Sequence, residues 1–174
     1  MSRGFRIVTT ENWLDPDPLS GSIVRMDHRD GSVHPVDGRD WIRYVNSVPL
    51  ADTVPQKIRD AFDFVIGAVG YGYFYYPVFT IVVQQVLRVA DFAVAHLFSV
   101  RPDLPKPPKR TFEGRLLALK DAGYLDDIAF TRWDAIRRLR NSATHPEWQQ
   151  TWGHSGLAQI RVMSELISAL PWEI

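Results

Sequence analysis

Residues 64–87, FVIGAVGYGYFYYPVFTIVVQQVL, contain no charged side chain. A run of that length has to leave water, either into a bilayer, which takes about 20 consecutive apolar residues, or into a protein core. Its middle decides between them. Three glycines, four tyrosines and Pro77 interrupt it, Gln84 and Gln85 close it, and no basic flank marks a cytoplasmic end. The pattern predicts two core helices joined by an aromatic turn, and no membrane partner.

The flanking sequence supports this division. Thr53 and Pro55 mark a helix start, and Ile58, Ala61, Phe62, Val65, Ile66 and Val69 recur at helical spacing until Gly70 and Gly72. After YGYFYYP a long helix is expected from about Val78 to Phe98, apolar over most of its circumference, with Gln84, Gln85, Arg88 and Asp91 as a narrow polar stripe. So little polar surface places a helix at the centre of a fold.

The proline-rich, basic RPDLPKPPKR that follows cannot be helical and reads as a stiff connector. Thr111 then caps a helix with Phe112, Leu116 and Leu119 on one face, ended by Gly123, with Tyr124 and Leu125 stapling the turn. Thr131, with Asp134 three residues on, is expected to cap the next helix, which turns Trp133, Ile136 and Leu139 inward. GLAQIRVMSELISAL forms the last, broadly apolar on one side, with Arg161, Glu165 and Ser168 as its polar strip. The expected fold is all-α: an antiparallel four-to-five-helix bundle over residues 51–174. Residues 1–50, rich in Asp, Gly, Pro and Ser, read as an irregular N-terminal extension. Asp30-Gly31 can turn a small β-hairpin there, and DWIRYVNSV can form a short helix with Asp40 near its start.

Composition narrows the chemistry. The chain has no cysteine, so disulfides, thiol catalysis and cysteine-based metal sites are excluded together. MSRGFRIVTTENW lacks the apolar segment of a signal peptide, so a cytoplasmic protein is expected. Net charge is zero, yet residues 101–146 are locally basic, which favours a limited anionic contact over general coating of nucleic acid. His28, His34, His96 and His154 are too scattered to form a ligand set. Neither a metal nor a cofactor is expected.

One stretch, RRLRNSATHPEW, stands out. Arg140 lies four residues after Ile136 and seven after Trp133, within the expected apolar stripe. An unpaired charge in a dry site costs several kcal/mol, so Arg140 needs a counterpart. Asp91 and Asp134 are the candidates for a purely structural pair. Pro146 disfavours helical geometry at His145, which turns that imidazole out at the helix end.

Arg140-Asn141-x-x-x-His145 resembles the signature of the HEPN superfamily, an arginine followed by a polar residue and, after a spacing of four to six, a histidine. The helix order YGYFYYPVFTIVVQQVLRVADFAVAHL, LLALKDAGYL, IRRLRNSATHP is similar to that of small bacterial HEPN proteins over residues 55–170. The resemblance does not extend to residues 1–50. Arg29-Asp30-Gly31-Ser32-Val33-His34 meets the same formula, but it spans an expected turn with no amphipathic helix before it, so it is read as a decoy.

The resemblance implies a helical homodimer that pairs the motif helices. It also implies a metal-independent endoribonuclease acting on RNA, in a toxin or antiviral role, with an antitoxin or other protein as a further partner. The residues suit that chemistry. In attack by the neighbouring 2′-hydroxyl, His145 can carry a proton, Arg140 can stabilise charge on the phosphate, and Asn141 can orient the group. Gln84, Arg88 and Asp91 are supporting candidates. Trp148 and Trp152 read as packing residues. The alternative is a catalytically inactive dimeric module of the same shape that binds a protein or a nucleotide, with Arg140 in a structural ion pair and His145 at the helix end.

Overall fold

The computed structural model describes residues 6–143 and 155–173. Those residues are mainly helical. Six α-helices, α1 (Gly38–Val45), α2 (Gln56–Tyr71), α3 (Val78–Val100), α4 (Phe112–Asp121), α5 (Asp127–Ala143) and α6 (Ser155–Ser168), follow a 3-10 turn and a two-stranded antiparallel hairpin, β1 (Val24–Met26) and β2 (Val33–Pro35).

Helix α3 is the centre of the fold, packed against α2, α4, α5 and α6. Phe79, Val83, Val86, Leu87, Ala90, Val94 and Leu97 are all buried, as expected of a helix with so narrow a polar stripe. It is long and apolar enough to cross a membrane by length and composition, with half of its most apolar window buried inside the fold. The uncharged run does divide at the aromatic turn, and α2 begins directly after Pro55.

Residues 6–50 are tied to that turn. Asp17, almost fully buried, accepts hydrogen bonds from the Leu19 and Tyr76 backbone N–H groups at 2.9 and 3.0 Å, and its own N–H donates to the Tyr73 carbonyl. Further along, α1 inserts Trp41 and Val45 into the common core, and the Trp41 indole N–H donates to the Gly70 carbonyl at 3.1 Å. The cap of α1 is Asp37, which accepts from the Arg39 and Asp40 N–H groups; Asp40 lies inside the first turn. The hairpin forms around Asp27–Ser32, and both of its strands are exposed.

Thr111 caps α4 by accepting from the Gly114 N–H at 3.1 Å. Gly123 ends that helix at φ +77°, a conformation that costs glycine nothing. Leu125 is buried in the turn, while Tyr124 stays exposed.

Helix α5 departs from expectation at its start. Asp126 accepts from the Ala129 N–H at 2.7 Å, and the helix is already formed at Thr131, whose hydroxyl donates back to the Asp127 carbonyl. Asp126 and Asp127 together satisfy and complement the helix N-terminus one turn earlier than a threonine cap would. Trp133 anchors α5 against Phe112 of α4, ring edge to ring face with centroids 6.0 Å apart. Truncating such a buried tryptophan costs about 3–5 kcal/mol.

Candidate functional site

Arg140 sits in the last described turn of α5. Trp133 and Ile136 are fully buried, whereas Leu139 and Ala143 are only partly so. The inward stripe therefore climbs to the edge of the core as the helix proceeds, and Arg140 emerges with it. Its side chain is 39% exposed, and its Nη2 lies 2.8 Å from Asp91 Oδ2 on α3. The expected core arginine is thus a rim arginine with a single carboxylate.

Asp134, the other expected partner, is engaged elsewhere. It accepts from Arg137 Nε at 2.7 Å and from Arg138 Nε at 2.8 Å, and these bonds, Arg137's foremost, hold its carboxyl below the usual aspartate range. Arg137 also approaches Glu113 of α4 at 3.8 Å.

The stripe on α3 and the motif on α5 meet. Gln84, Leu87 and Arg88 join Arg140 and Ala143 around a pocket of about 460 Å³. Asp91 holds the guanidinium at its edge. Two arginines against one carboxylate leave this site with a positive excess, and arginine has five donors, more than one aspartate occupies. Arg88 makes no ion pair among the described residues. Asn141 is exposed, one position along α5. His145 lies outside the described residues, as do Pro146, Trp148, Trp152 and His154.

The second match to the motif formula does not assemble into a site. Arg29 is in the hairpin turn, and His34 is exposed on β2, its Nε2 2.8 Å from the Ser32 hydroxyl. Among the described residues no group of three or more His, Asp or Glu side chains is placed to hold a metal ion. A larger and more apolar concavity, about 560 Å³, lies between the hairpin, α1 and Leu157 of α6, with Arg25 and Arg43 on its rim. Both of those cations pair with Asp40, at 3.8 and 3.2 Å.

Arg101 was not anticipated. It opens the proline-rich connector, yet it is only 5% exposed. Its guanidinium donates to both carboxylate oxygens of Asp103, at 2.7 and 2.6 Å, and to the carbonyls of Pro171 and Glu173. The spacing Arg-Pro-Asp hints at the first of these partners. The carbonyls, some seventy positions away, leave no trace in sequence.

No protein-family model, no curated protein and no solved structure matches this chain.

Proposed function

We propose that the chain is a metal-independent endoribonuclease of the HEPN type, with the helices packed as an antiparallel bundle and two copies forming one site. The observation that carries this reading is the meeting of Arg140 with Gln84, Arg88 and Asp91 at an open, positively charged pocket. A phosphate there would find a guanidinium already oriented by Asp91 and a second cation four positions along the polar stripe from Gln84. Arg140 would stabilise the charge that builds on phosphorus, and His145, five residues on, would move the proton to or from the 2′-hydroxyl and the leaving oxygen. Asn141 would hold the phosphate or the imidazole. None of these groups needs a metal to act.

Pairing of α4 with α5 through Lys120–Asp127 at 3.0 Å and Arg137–Glu113 at 3.8 Å supports antiparallel packing of those two helices. A dimer that shares one site would bring the Arg140 ends of two α5 helices together, with Asn141 and Ser142, both exposed, beside the seam. A cytoplasmic toxin or antiviral role, held in check by an antitoxin or another protein, follows from the resemblance.

The Arg140–Asp91 pair also favours a second reading, a dimeric module without catalysis in which that pair is structural. One experiment separates the two: incubation of the purified protein with single-stranded RNA in EDTA. Cleavage that leaves a cyclic or 3′ phosphate is expected, unchanged in the His34→Ala variant. Cutting only with added Mg²⁺ would sink the mechanism, and no cutting under any condition would leave the module.

A further inference from the structure

The connector between α3 and α4 borders a second concavity, about 530 Å³, whose cationic lining includes Lys106, Arg110 and Arg115. Elsewhere most arginines are neutralised, as in Arg43–Asp40, Arg132–Glu165 and Arg138–Asp134. Lys106, Arg110 and Arg115 make no such pair among the described residues, nor does the adjacent Lys109. Four cations without an ion pair among the described residues therefore cluster around this connector and the adjoining turn of α4.

The segment is also held still. Pro102, Pro105, Pro107 and Pro108 restrict its backbone, Leu104 is buried, and the Arg101 guanidinium clamps it to Asp103 and to the carbonyls of Pro171 and Glu173. At its far end the Lys109 backbone rests directly on Gly114 of α4, where no side chain would fit. Flexible basic tails solvate their charges; a fixed basic groove presents them at set spacing, which lowers the ordering cost of binding a polyanion.

Its position on α3 gives it direction. Gln84, Arg88, Asp91, Ala95 and Phe98 follow at intervals of four, three, four and three, so they lie along one face of the helix. Gln84 and Arg88 line the Arg140 pocket, while Ala95 and Phe98 line the basic groove. From Arg88 to Phe98 the rise is about 15 Å, room for a few nucleotides of a backbone tracked by cations.

Resting on the nuclease reading for the identity of the polyanion, we infer that this groove binds the phosphate backbone of single-stranded RNA and leads it along α3 to Arg140. Lys106, Arg110 and Arg115 are positioning residues for substrate, remote from the reacting phosphate.

The test uses a fluorescein-labelled, ten-nucleotide 2′-O-methyl oligouridylate, which cannot be cut through its 2′ position, and fluorescence anisotropy between 50 and 200 mM salt. The Lys106→Ala/Arg110→Ala double variant removes two exposed side chains, and its circular dichroism melt checks that it folds. It is expected to bind at least tenfold more weakly at 50 mM salt, with the slope of log affinity against log salt reduced by about 1.4, or about 0.7 for each lost phosphate contact. Lys106→Glu alone should weaken binding in the same direction. Arg140→Ala, which removes one phosphate contact against two, should weaken binding less than the double variant. Wild-type affinity in the double variant overturns the proposal, and so does equal displacement of the probe by oligoglutamate and by unlabelled oligouridylate, which would assign the groove to an acidic polypeptide. Groove-dependent binding without any cutting of ordinary oligouridylate would support the groove and remove the nuclease reading.

Discussion

Arg101 and Arg140 both emerge at the edge of the helical core, and they are satisfied to very different degrees. Arg101 is buried, with two carboxylate oxygens and two backbone carbonyls around its guanidinium. Arg140 is more than a third exposed and has one carboxylate oxygen at 2.8 Å, beside an open pocket. An arginine with four of its five donors used by the protein serves to hold the protein together. One with donors left over, oriented by a single acid, is prepared for an anion that arrives from solution.

The comparison fails first at catalysis if it is wrong. Arg140→Ala and His145→Ala are each expected to lower RNA cleavage at least about 100-fold, measured as initial rates on a labelled oligoribonucleotide, while the melting temperature of Arg140→Ala stays within about 2 °C of the parent. A large loss of stability in Arg140→Ala would make it a second Arg101. The converse substitution sharpens the contrast. Arg101→Ala strands the carbonyls of Pro171 and Glu173 and frees the connector, so its melting temperature should fall by roughly 5–10 °C in a thermal scan.

The smallest effect expected is with acid. Asp103 is held below its ordinary range by the hydrogen bond from Arg101, and Asp134 by those from Arg137 and then Arg138. A depressed carboxyl contributes stability that is fully present above its unfolded pKa, near 3.8, and is lost as pH falls through the folded value. Melting temperature should therefore be flat from pH 7 to about 5 and decline below about 4, and the decline should be shallower in Arg101→Ala, which has lost the bond that depresses Asp103. An identical acid profile in the variant would show that the Arg101–Asp103 pair contributes nothing.

What sequence could reveal followed the range of the interactions. Thr111 and Gly123 were readable because cap and glycine act on their own helix, within three residues of the bonds they make. The central place of α3 was readable because burial on several sides is written in its composition. Thr131 reads as a cap from its spacing to Asp134, but α5 already begins at Asp127, and Asp126 accepts the N–H bond that a cap would take. Asp40 stands in the first turn of α1, as its place in the sequence suggests, and Asp37 caps that helix from outside. Arg140's stripe was visible as periodicity, but periodicity cannot say where a helix leaves the core, so the degree of its exposure was not. Arg101 and Asp17 depend on carbonyls and N–H groups far along the chain, and no side-chain pattern encodes a backbone acceptor.

Asp17 has a temporal consequence as well. The Tyr76 N–H that it accepts is separated from it by 59 residues, and that donor is positioned only once the turn between α2 and α3 exists. Closing so long a loop is slow compared with winding a helix. The segment around Asp17 can therefore dock on the aromatic turn only once α2 and α3 have made that turn, so a bond at the start of the chain waits on a contact made in its middle.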